Sequence, residues 1–336
     1  MRTELTTEPT NEPTNEPTSE LTVVTPRGRS HDRAGRVFAA AATGSGVLIL
    51  AVLAAVAGFL LLEALPALTA SPDELGSISW IPDDGSLARY VGPLIFGTVL
   101  AALLALLLAV PVAIGIALFI SHHAPRRLAA LLGSLVDLLA AIPSVVYGLW
   151  GGLWLAPRLQ AVWEWLADRL GGVPLFEGPA ATPPRVMMTV GVVLAVMILP
   201  IVTAVSREVF LQTPRLHEEA ALALGATRWE MVRMAVLPFG RSGVISASML
   251  GLGRALGETM AVLMILSPGL TYSLALLMAG RHQTIAANVA LQFPEANPLG
   301  VSALIATGLA LFVITLGVNM AARWVVARRA AFSGAN

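Results

Sequence analysis

Two charged side chains stand four residues apart in an otherwise apolar stretch of the chain. In LGLGRALGETMAVL, residues 250–263, Arg254 precedes Glu258 by four positions. On one helix this spacing brings both side chains to the same face, with Cβ atoms about 5–6 Å apart. A charge at the centre of a bilayer costs about 2.5–3.5 kcal/mol on insertion scales, so two charges in one span require a compensating role. An arginine that faces an aqueous path can bind an oxyanion in its planar fork, and the alternative is an ion pair that holds helices together.

A third charge, Asp137, lies in SLVDLLAAIPS, six residues before Pro143. A carboxylate repels an anion, so direct contact with an anionic substrate is not expected. We therefore expect Asp137 to pair with Arg254 or to interact with a neighbouring helix end. The alternative is a gating role next to the kink that Pro143 predicts.

The composition excludes most other kinds of chemistry. Of the 336 residues, 56% are hydrophobic and 12% charged, whereas soluble domains carry about 25% charged residues. The chain has no cysteine, and all 21 of its basic residues are arginine, which excludes thiol nucleophiles and a P-loop lysine. A formal net charge of zero gives no reason to expect nucleic-acid binding. The five histidines have no metal-ligand spacing, and no Ser–His or paired-carboxylate arrangement indicates a hydrolase.

Six apolar segments must position these charges, and each is long enough to cross about 30 Å of hydrocarbon. An amphipathic stretch within residues 156–186 predicts a surface helix rather than another crossing. We therefore expect an all-α integral membrane fold whose spans run approximately over Val37–Leu62, Val91–Ile120, Leu128–Leu155, Met187–Val205, Gly243–Ser267 and Leu299–Ala322.

The arginines predict the orientation. With the N-terminus inside, inner segments hold fourteen arginines and outer segments five, as the positive-inside rule requires. Both termini are then cytoplasmic. Residues 1–35 contain the repeat TEPTNEPTNEPT, which has nothing apolar to bury and predicts a disordered cytoplasmic tail before a permease domain over residues 36–330.

The same orientation makes residues 206–242 a cytoplasmic loop. Its sequence predicts helix, turn, helix, with Pro214 early in the first helix and a break at Gly225. Exposed apolar residues beside the membrane favour a docking surface, and the alternative is an amphipathic hairpin that lies on the bilayer.

This loop resembles the EAA loop of ABC importer permeases. The family pattern is Glu-Ala-Ala, three residues, Gly, nine residues, an aliphatic residue, one residue, and Leu-Pro. Here Ala235 stands at the aliphatic position, and the other motif residues are present as Glu219, Ala220, Ala221, Gly225, Leu237 and Pro238. The resemblance implies a type I importer fold in which this loop is a helical coupling hairpin that docks on a separate cytoplasmic ATPase.

Three further strings resemble the phosphate-specific transport permeases of the PstC type: GRALGETMAV, IPSVVYGLWG and FGTVLAALLALLLAVPVAIGIALFISHHAP. The resemblance covers about residues 36–330. It implies that Arg254 and Glu258 matter for phosphate passage. It also implies a second permease of the PstA type, a cytoplasmic ATPase dimer and an extracytoplasmic phosphate-binding protein as partners.

The expected function is therefore a permease subunit of the plasma membrane that forms half of an anion path and catalyses no reaction. No cofactor is expected in this chain, because ATP and magnesium would bind to the ATPase. Two alternatives remain at this stage. One is an importer permease for another oxyanion such as sulfate. The other is an ion-coupled secondary transporter that uses Asp137 and Glu258 as coupling carboxylates.

Overall fold

The computed structural model describes residues 31–330, and the regular secondary structure of this part is helical, apart from one isolated bridge between Pro268 and His282. The all-α prediction is confirmed for it. Three π-helical segments extend neighbouring helices at Phe119–His123, Trp150–Leu155 and Val232–Val236. The α-helices, numbered in chain order, are α1 (His31–Thr69), α2 (Pro72–Gly76), α3 (Leu87–Leu118), α4 (Arg126–Ala140), α5 (Ser144–Leu149), α6 (Ala156–Leu170), α7 (Met187–Leu211), α8 (Arg215–Ala223), α9 (Arg228–Met231), α10 (Leu237–Leu256), α11 (Met260–Ile265), α12 (Ile285–Gln292) and α13 (Pro298–Ala330).

Five stretches of these helices are long and apolar enough to cross a membrane: Gly35–Thr69, Leu87–His123, Met187–Leu211, Arg228–Leu256 and Pro298–Trp324. A sixth candidate combines Arg126–Ala140 with Ser144–Leu170 and is bent by 90° at the break between them. The predicted number of six spans is reached when this bent pair counts as one span.

The chain divides into two units, Met1–Ala54 and Ala55–Asn336. The first contains the beginning of α1, and the second contains all the later helices. The predicted tail lies mostly outside the described residues, but its last five positions, 31–35, belong to α1. A helix can extend beyond its apolar run because its hydrogen bonds join backbone groups.

The core of the second unit forms around α7, which packs along α3 and α10. On α3, alanines recur every fourth residue and share one helix face, where each is at most 1% exposed: Ala101, Ala105, Ala109, Ala113 and Ala117. On α7, a Cβ at Gly191 would overlap the side chain of Leu104. Small residues therefore let these backbones approach closely, as in other membrane helix pairs.

The fifth span differs from the prediction. We expected one helix over Gly243–Ser267, but α10 ends at Leu256 and α11 begins only at Met260. In a continuous helix the N–H of Ala261 would donate to the carbonyl of Gly257. Here it donates to the Glu258 carboxylate at 3.0 Å, so a side chain replaces the backbone acceptor at the break.

Candidate functional site

Arg254 lies in the last turn of α10 and reaches the end of another helix. Its Nη1 donates to the carbonyl of Ala140 at 3.5 Å, and its Nη2 donates to the carbonyl of Ile142 at 3.4 Å. Ala140 is the last residue of α4. The last carbonyls of a helix have no partner within it and carry the negative end of the helix dipole. The guanidinium therefore caps α4 from a position 114 residues further along the chain.

A second side chain completes this helix end. The hydroxyl of Tyr147, on α5, donates to the carbonyl of Leu139 at 2.9 Å. Backbone groups at membrane depth must find partners within the protein, and side chains from α5 and α10 meet that need where the bent span breaks.

The two broken spans touch each other. A Cβ at Gly148, on α5, would lie 2.8 Å from the Cα of Ala261, on α11. Only a glycine allows this approach, since real Cβ atoms essentially never come so close to a backbone atom. The break after α4 and the break after α10 are therefore joined both by this contact and by Arg254. Interrupted helices of this kind form substrate sites in many membrane transporters.

Glu258 is buried, and its carboxylate accepts the N–H of Ala261 near the start of α11. The expected pair of Arg254 and Glu258 on one helix face is wrong. They are four positions apart, but α10 ends between them at Leu256, so the helical spacing rule does not apply. Among the described residues, no salt bridge joins the two side chains.

Asp137 pairs with Arg207 of α7, its carboxylate lying 3.9 Å from the guanidinium. The expectation that Asp137 pairs with Arg254 is therefore wrong, because Arg254 is directed to the end of α4. One turn before Asp137, a Cβ at Gly133 would overlap the Arg207 guanidinium, so this glycine makes room for the ion pair. Pro143 precedes α5 at the 90° bend, and the predicted kink is confirmed. A gating role for either residue stays a prediction.

The predicted helical hairpin is present in α8 and α9, and Gly225 forms the turn between them. Gly225 has a φ of +87°, in the region that favours glycine. Its N–H donates to the carbonyl of Leu222 at 3.0 Å, and the N–H of Ala226 donates to the carbonyl of Ala221 at 3.2 Å. These two bonds constitute a Schellman motif, which supplies partners for the last carbonyls of α8. Pro214 stands at the N-cap of α8, one position before the helix.

The motif residues of the hairpin face two directions. Ala221 is buried against α3, α7 and the π-helical segment Val232–Val236, in a cluster with Leu118, Phe210 and Val232. Glu219 and Ala220 are exposed. Leu237 is half-buried and Pro238 exposed in the first turn of α10.

Large apolar side chains are exposed beside Glu219. Leu224 is 86% exposed, Leu216 76% and Trp229 59%. A folded hairpin that buries one alanine face and leaves such residues in solvent presents a surface suited to a protein partner. ATPase docking by these residues stays a prediction.

Sequence reasoning missed the partners of the predicted site residues. Neither Arg207 nor Tyr147 was predicted to contact a neighbouring helix. The Nε2 of His122, at the end of the α3 extension, lies 3.5 Å from the carboxylate of Glu218 on α8. No spacing along the chain could have indicated these contacts, because they join separate helices. Within residues 31–330, no cluster of three or more His, Cys, Asp or Glu could hold a metal ion.

Residues 109–331 match the family of binding-protein-dependent transport system inner membrane components. This chain belongs to that family. The match includes both broken spans and the coupling hairpin, so the permease carries its candidate site within the family region.

Proteins similar to this permease include PstC 2, a phosphate transport system permease protein of Mycobacterium tuberculosis, which is 47% identical over 296 residues. The matched region covers 87% of this chain and 91% of that protein. A phosphate transport system permease protein PstC of Mesorhizobium japonicum is 39% identical over 307 residues, or 89% of this chain and 92% of that one.

A crystal structure of a bacterial ABC transporter that imports the acidic polysaccharide alginate resembles the permease in fold. The TM-score is 0.50 at 18% identity, over 71% of this chain and 79% of that one. This likeness supports the ABC importer permease fold and nothing about substrate. The permease is a multi-pass inner-membrane transport component.

Proposed function

We propose that this chain is the permease subunit of an ATP-driven phosphate importer. The observation that carries the proposal is its 39–47% identity, over most of both chains, to phosphate transport permeases of the PstC type. The geometry supports it, because a guanidinium lies where two broken spans meet and two of its N–H groups already bind carbonyls. Arginine has five N–H donors, so others remain for a phosphate oxyanion.

The proposed orientation places both termini and the coupling hairpin in the cytoplasm. The arginine distribution supports it, with fourteen arginines on that side and five on the other. The exposed face of Glu219, Leu224 and Trp229 would then meet a cytoplasmic ATPase subunit.

The complete importer would contain a second permease of the PstA type, two ATPase subunits and an extracytoplasmic phosphate-binding protein. The absence of lysine from the chain supports the assignment of ATP and magnesium to the ATPase, since a P-loop requires that residue. This chain would contribute a path and a moving part, and no covalent chemistry.

Helix continuity supports a mechanism for coupling. From Arg228 to Leu256 the chain is helical without a break, passing through α9, the π-helical segment and α10. Thr227 caps this rod in a capping box with Glu230. Arg254 lies about 40 Å from its start, at a rise of 1.5 Å per residue. Movement of the hairpin by ATPase closure would therefore be transmitted along one rigid element to Arg254 and the end of α4.

Uptake of radiolabelled phosphate tests the proposal in phosphate-starved cells that lack this gene. The cells would carry wild type, Arg254→Gln, Glu219→Ala or the control Arg169→Gln, which removes an exposed arginine in the last turn of α6, outside the predicted ATPase-docking loop. We expect ATP-dependent uptake that excess sulfate does not inhibit for wild type and the control. Arg254→Gln should abolish uptake while the complex still assembles, and Glu219→Ala should lower both uptake and the amount of co-purified ATPase.

Other outcomes would contradict parts of the proposal. Sulfate uptake by wild type would leave the importer class intact and make the substrate assignment wrong. Uptake driven by an ion gradient without ATPase subunits would replace the importer with a secondary transporter. Normal transport by Arg254→Gln would limit Arg254 to capping α4.

A further inference from the structure

A cavity of about 780 Å³ extends from Arg254 between α10, α13 and α7. Its wall is mainly aliphatic, but four lining side chains are polar: Ser246 and Arg254 on α10, and Asn319 and Arg323 on α13. None of the residues that line it in the described part of the chain is acidic. Two guanidiniums thus border one space without a carboxylate between them.

The polar residues on each helix lie on a common face. Asn319 and Arg323 are four residues apart on α13, and Ser246 and Arg254 are eight apart on α10. At 1.5 Å per residue, the second pair spans about 12 Å along the helix. The four polar side chains are therefore spread over a longer distance than a single phosphate ion can contact at once.

The chain topology sets the direction in which the cavity extends. α10 leaves the coupling hairpin, and α13 is the next described helix long enough to cross the membrane, so the end of α13 returns to the hairpin side. Arg323 is the next-to-last residue of that apolar span, and Ser246 is nearer to the hairpin than Arg254. The cavity therefore leads from Arg254 toward the side on which the hairpin lies.

We propose that Arg323, with Asn319 and Ser246, forms a second phosphate subsite, to which the anion passes from Arg254 before it leaves on the hairpin side. This inference rests on the proposed function. A guanidinium binds phosphate oxygens through its fork, while the amide and hydroxyl add single hydrogen bonds. Two binding sites along the path lower the free-energy barrier to passage of the anion, because it exchanges one set of hydrogen-bond donors for another as it moves.

The phosphate of a lipid headgroup has the same chemistry and could reach Arg323 from the membrane surface, with its chains against the aliphatic wall. It would contact only the arginine near that surface. The presence of a second guanidinium, Arg254, on the same cavity favours a small free anion, and the test below distinguishes the two sources.

The test uses the complete importer, purified with its partner subunits and reconstituted into vesicles of phosphatidylcholine, whose headgroup carries a phosphate, or of a galactolipid, whose headgroup does not. Initial rates of radiolabelled phosphate uptake are compared for wild type, Arg323→Gln, Arg323→Lys and the control Arg169→Gln on α6, together with ATPase activity. We expect Arg323→Gln to lower the maximal rate about tenfold in both lipids, the loss for one charge-assisted bidentate contact. Arg323→Lys should keep an intermediate rate, and the control the wild-type rate.

A second variant keeps the test independent of Arg323. Ser246→Glu adds a carboxylate to the same wall, and we expect it to lower uptake while ATPase activity continues. Wild-type uptake by Arg323→Gln or by Ser246→Glu would overturn the inference and leave the proposed function intact. A defect confined to the phosphatidylcholine vesicles would assign Arg323 to a lipid headgroup instead. Failure of wild type to transport phosphate would overturn the proposed function itself.

Discussion

The coupling hairpin and the break after α10 both end a helix at a glycine, yet different groups complete their backbone hydrogen bonds. At Gly225 the chain supplies its own partners, since the N–H groups of Gly225 and Ala226 bind carbonyls of α8. After Gly257, the Glu258 carboxylate accepts a hydrogen bond from the N–H of Ala261, in the first turn of α11. The neighbouring helix end of α4 is completed by Arg254 and Tyr147.

This difference follows from the surroundings of the two breaks. A turn in water can leave some carbonyls and N–H groups to the solvent, so a backbone motif of a few residues is sufficient. A break at membrane depth has no water to rely on, so side chains must complete it: Glu258 from the linker itself before α11, and Arg254 and Tyr147 from other helices at the end of α4. Charged groups used in this way are then available for an anion, which is why a structural break can serve as a substrate site.

Substitution of Arg254 by lysine should have the largest effect. Arg254→Lys keeps the positive charge, but one ammonium cannot reproduce the guanidinium fork that reaches both Ala140 and Ile142. We expect phosphate uptake to fall at least about tenfold, and stability to fall by about 1 kcal/mol for the lost carbonyl contacts. Uptake assays and thermal unfolding of the purified complex measure the two effects. Wild-type uptake by Arg254→Lys would indicate that charge alone is needed.

Substitution of Gly225 tests the locally built turn. No atom lies within 4 Å of a Cβ at this position, so the penalty for a side chain comes from φ alone. We expect Gly225→Val to destabilise the folded hairpin by about 1–2 kcal/mol. Gly225→Asn should destabilise it less, because asparagine tolerates a positive φ.

The amount of ATPase that co-purifies with the permease measures this effect. Gly308→Ala is a matched control, since Gly308 also has open space around its Cβ but lies within α13. Equal binding by Gly225→Val and Gly308→Ala would show that the turn does not need a positive φ.

The same contrast explains how much could be predicted from the sequence. The hairpin was predicted because its signals are local: Gly225 follows a helix-forming run and needs contacts only with residues up to four positions away. The end of α10 was not predicted. Gly251, Gly253 and Gly257 follow one another closely, but the first two lie inside the helix, where Gly251 admits the side chain of Val202. A glycine alone does not distinguish close packing from a helix end.

The partners of the predicted charges could not be predicted from the sequence either. Arg254 and Asp137 were predicted to be costly intramembrane charges, and pairing them with each other was the simplest way to offset that cost. The fold instead directs Arg254 to the end of α4 and Asp137 to Arg207, 70 positions further along the chain. Such choices depend on which helices pack together, which is determined by the alanine and glycine contacts of α3 and α7.

Glu258 offers a smaller and sharper test of the break. Glu258→Gln keeps an oxygen that can accept the Ala261 N–H, whereas Glu258→Ala removes the acceptor. If the carboxylate acts mainly as a cap, Glu258→Ala should lower the free energy of unfolding by about 1 kcal/mol, and Glu258→Gln should lower it by only about a few tenths of that. We expect uptake to follow the same order, with Glu258→Gln closer to wild type. A stable Glu258→Gln variant without uptake would instead assign the charge itself to phosphate passage.

The smallest expected effect is at the contact between the hairpin and α3. The side chain of His122 is 9% exposed and that of Glu218 23%, the two lie 3.5 Å apart, and the pair is ionic only when the imidazole is protonated. Partly exposed pairs contribute about 0–1 kcal/mol, so Glu218→Gln should change uptake by less than about fivefold.

Ala221→Leu, one turn later, would instead force a large side chain into the buried cluster of Leu118, Phe210 and Val232, and should lower the free energy of unfolding by about 1–3 kcal/mol. Co-purification of the ATPase compares the two variants at constant expression. A larger loss for Glu218→Gln than for Ala221→Leu would mean that the hairpin is held by charge rather than by packing, and the contrast between a locally built turn and a break completed by charges would fail.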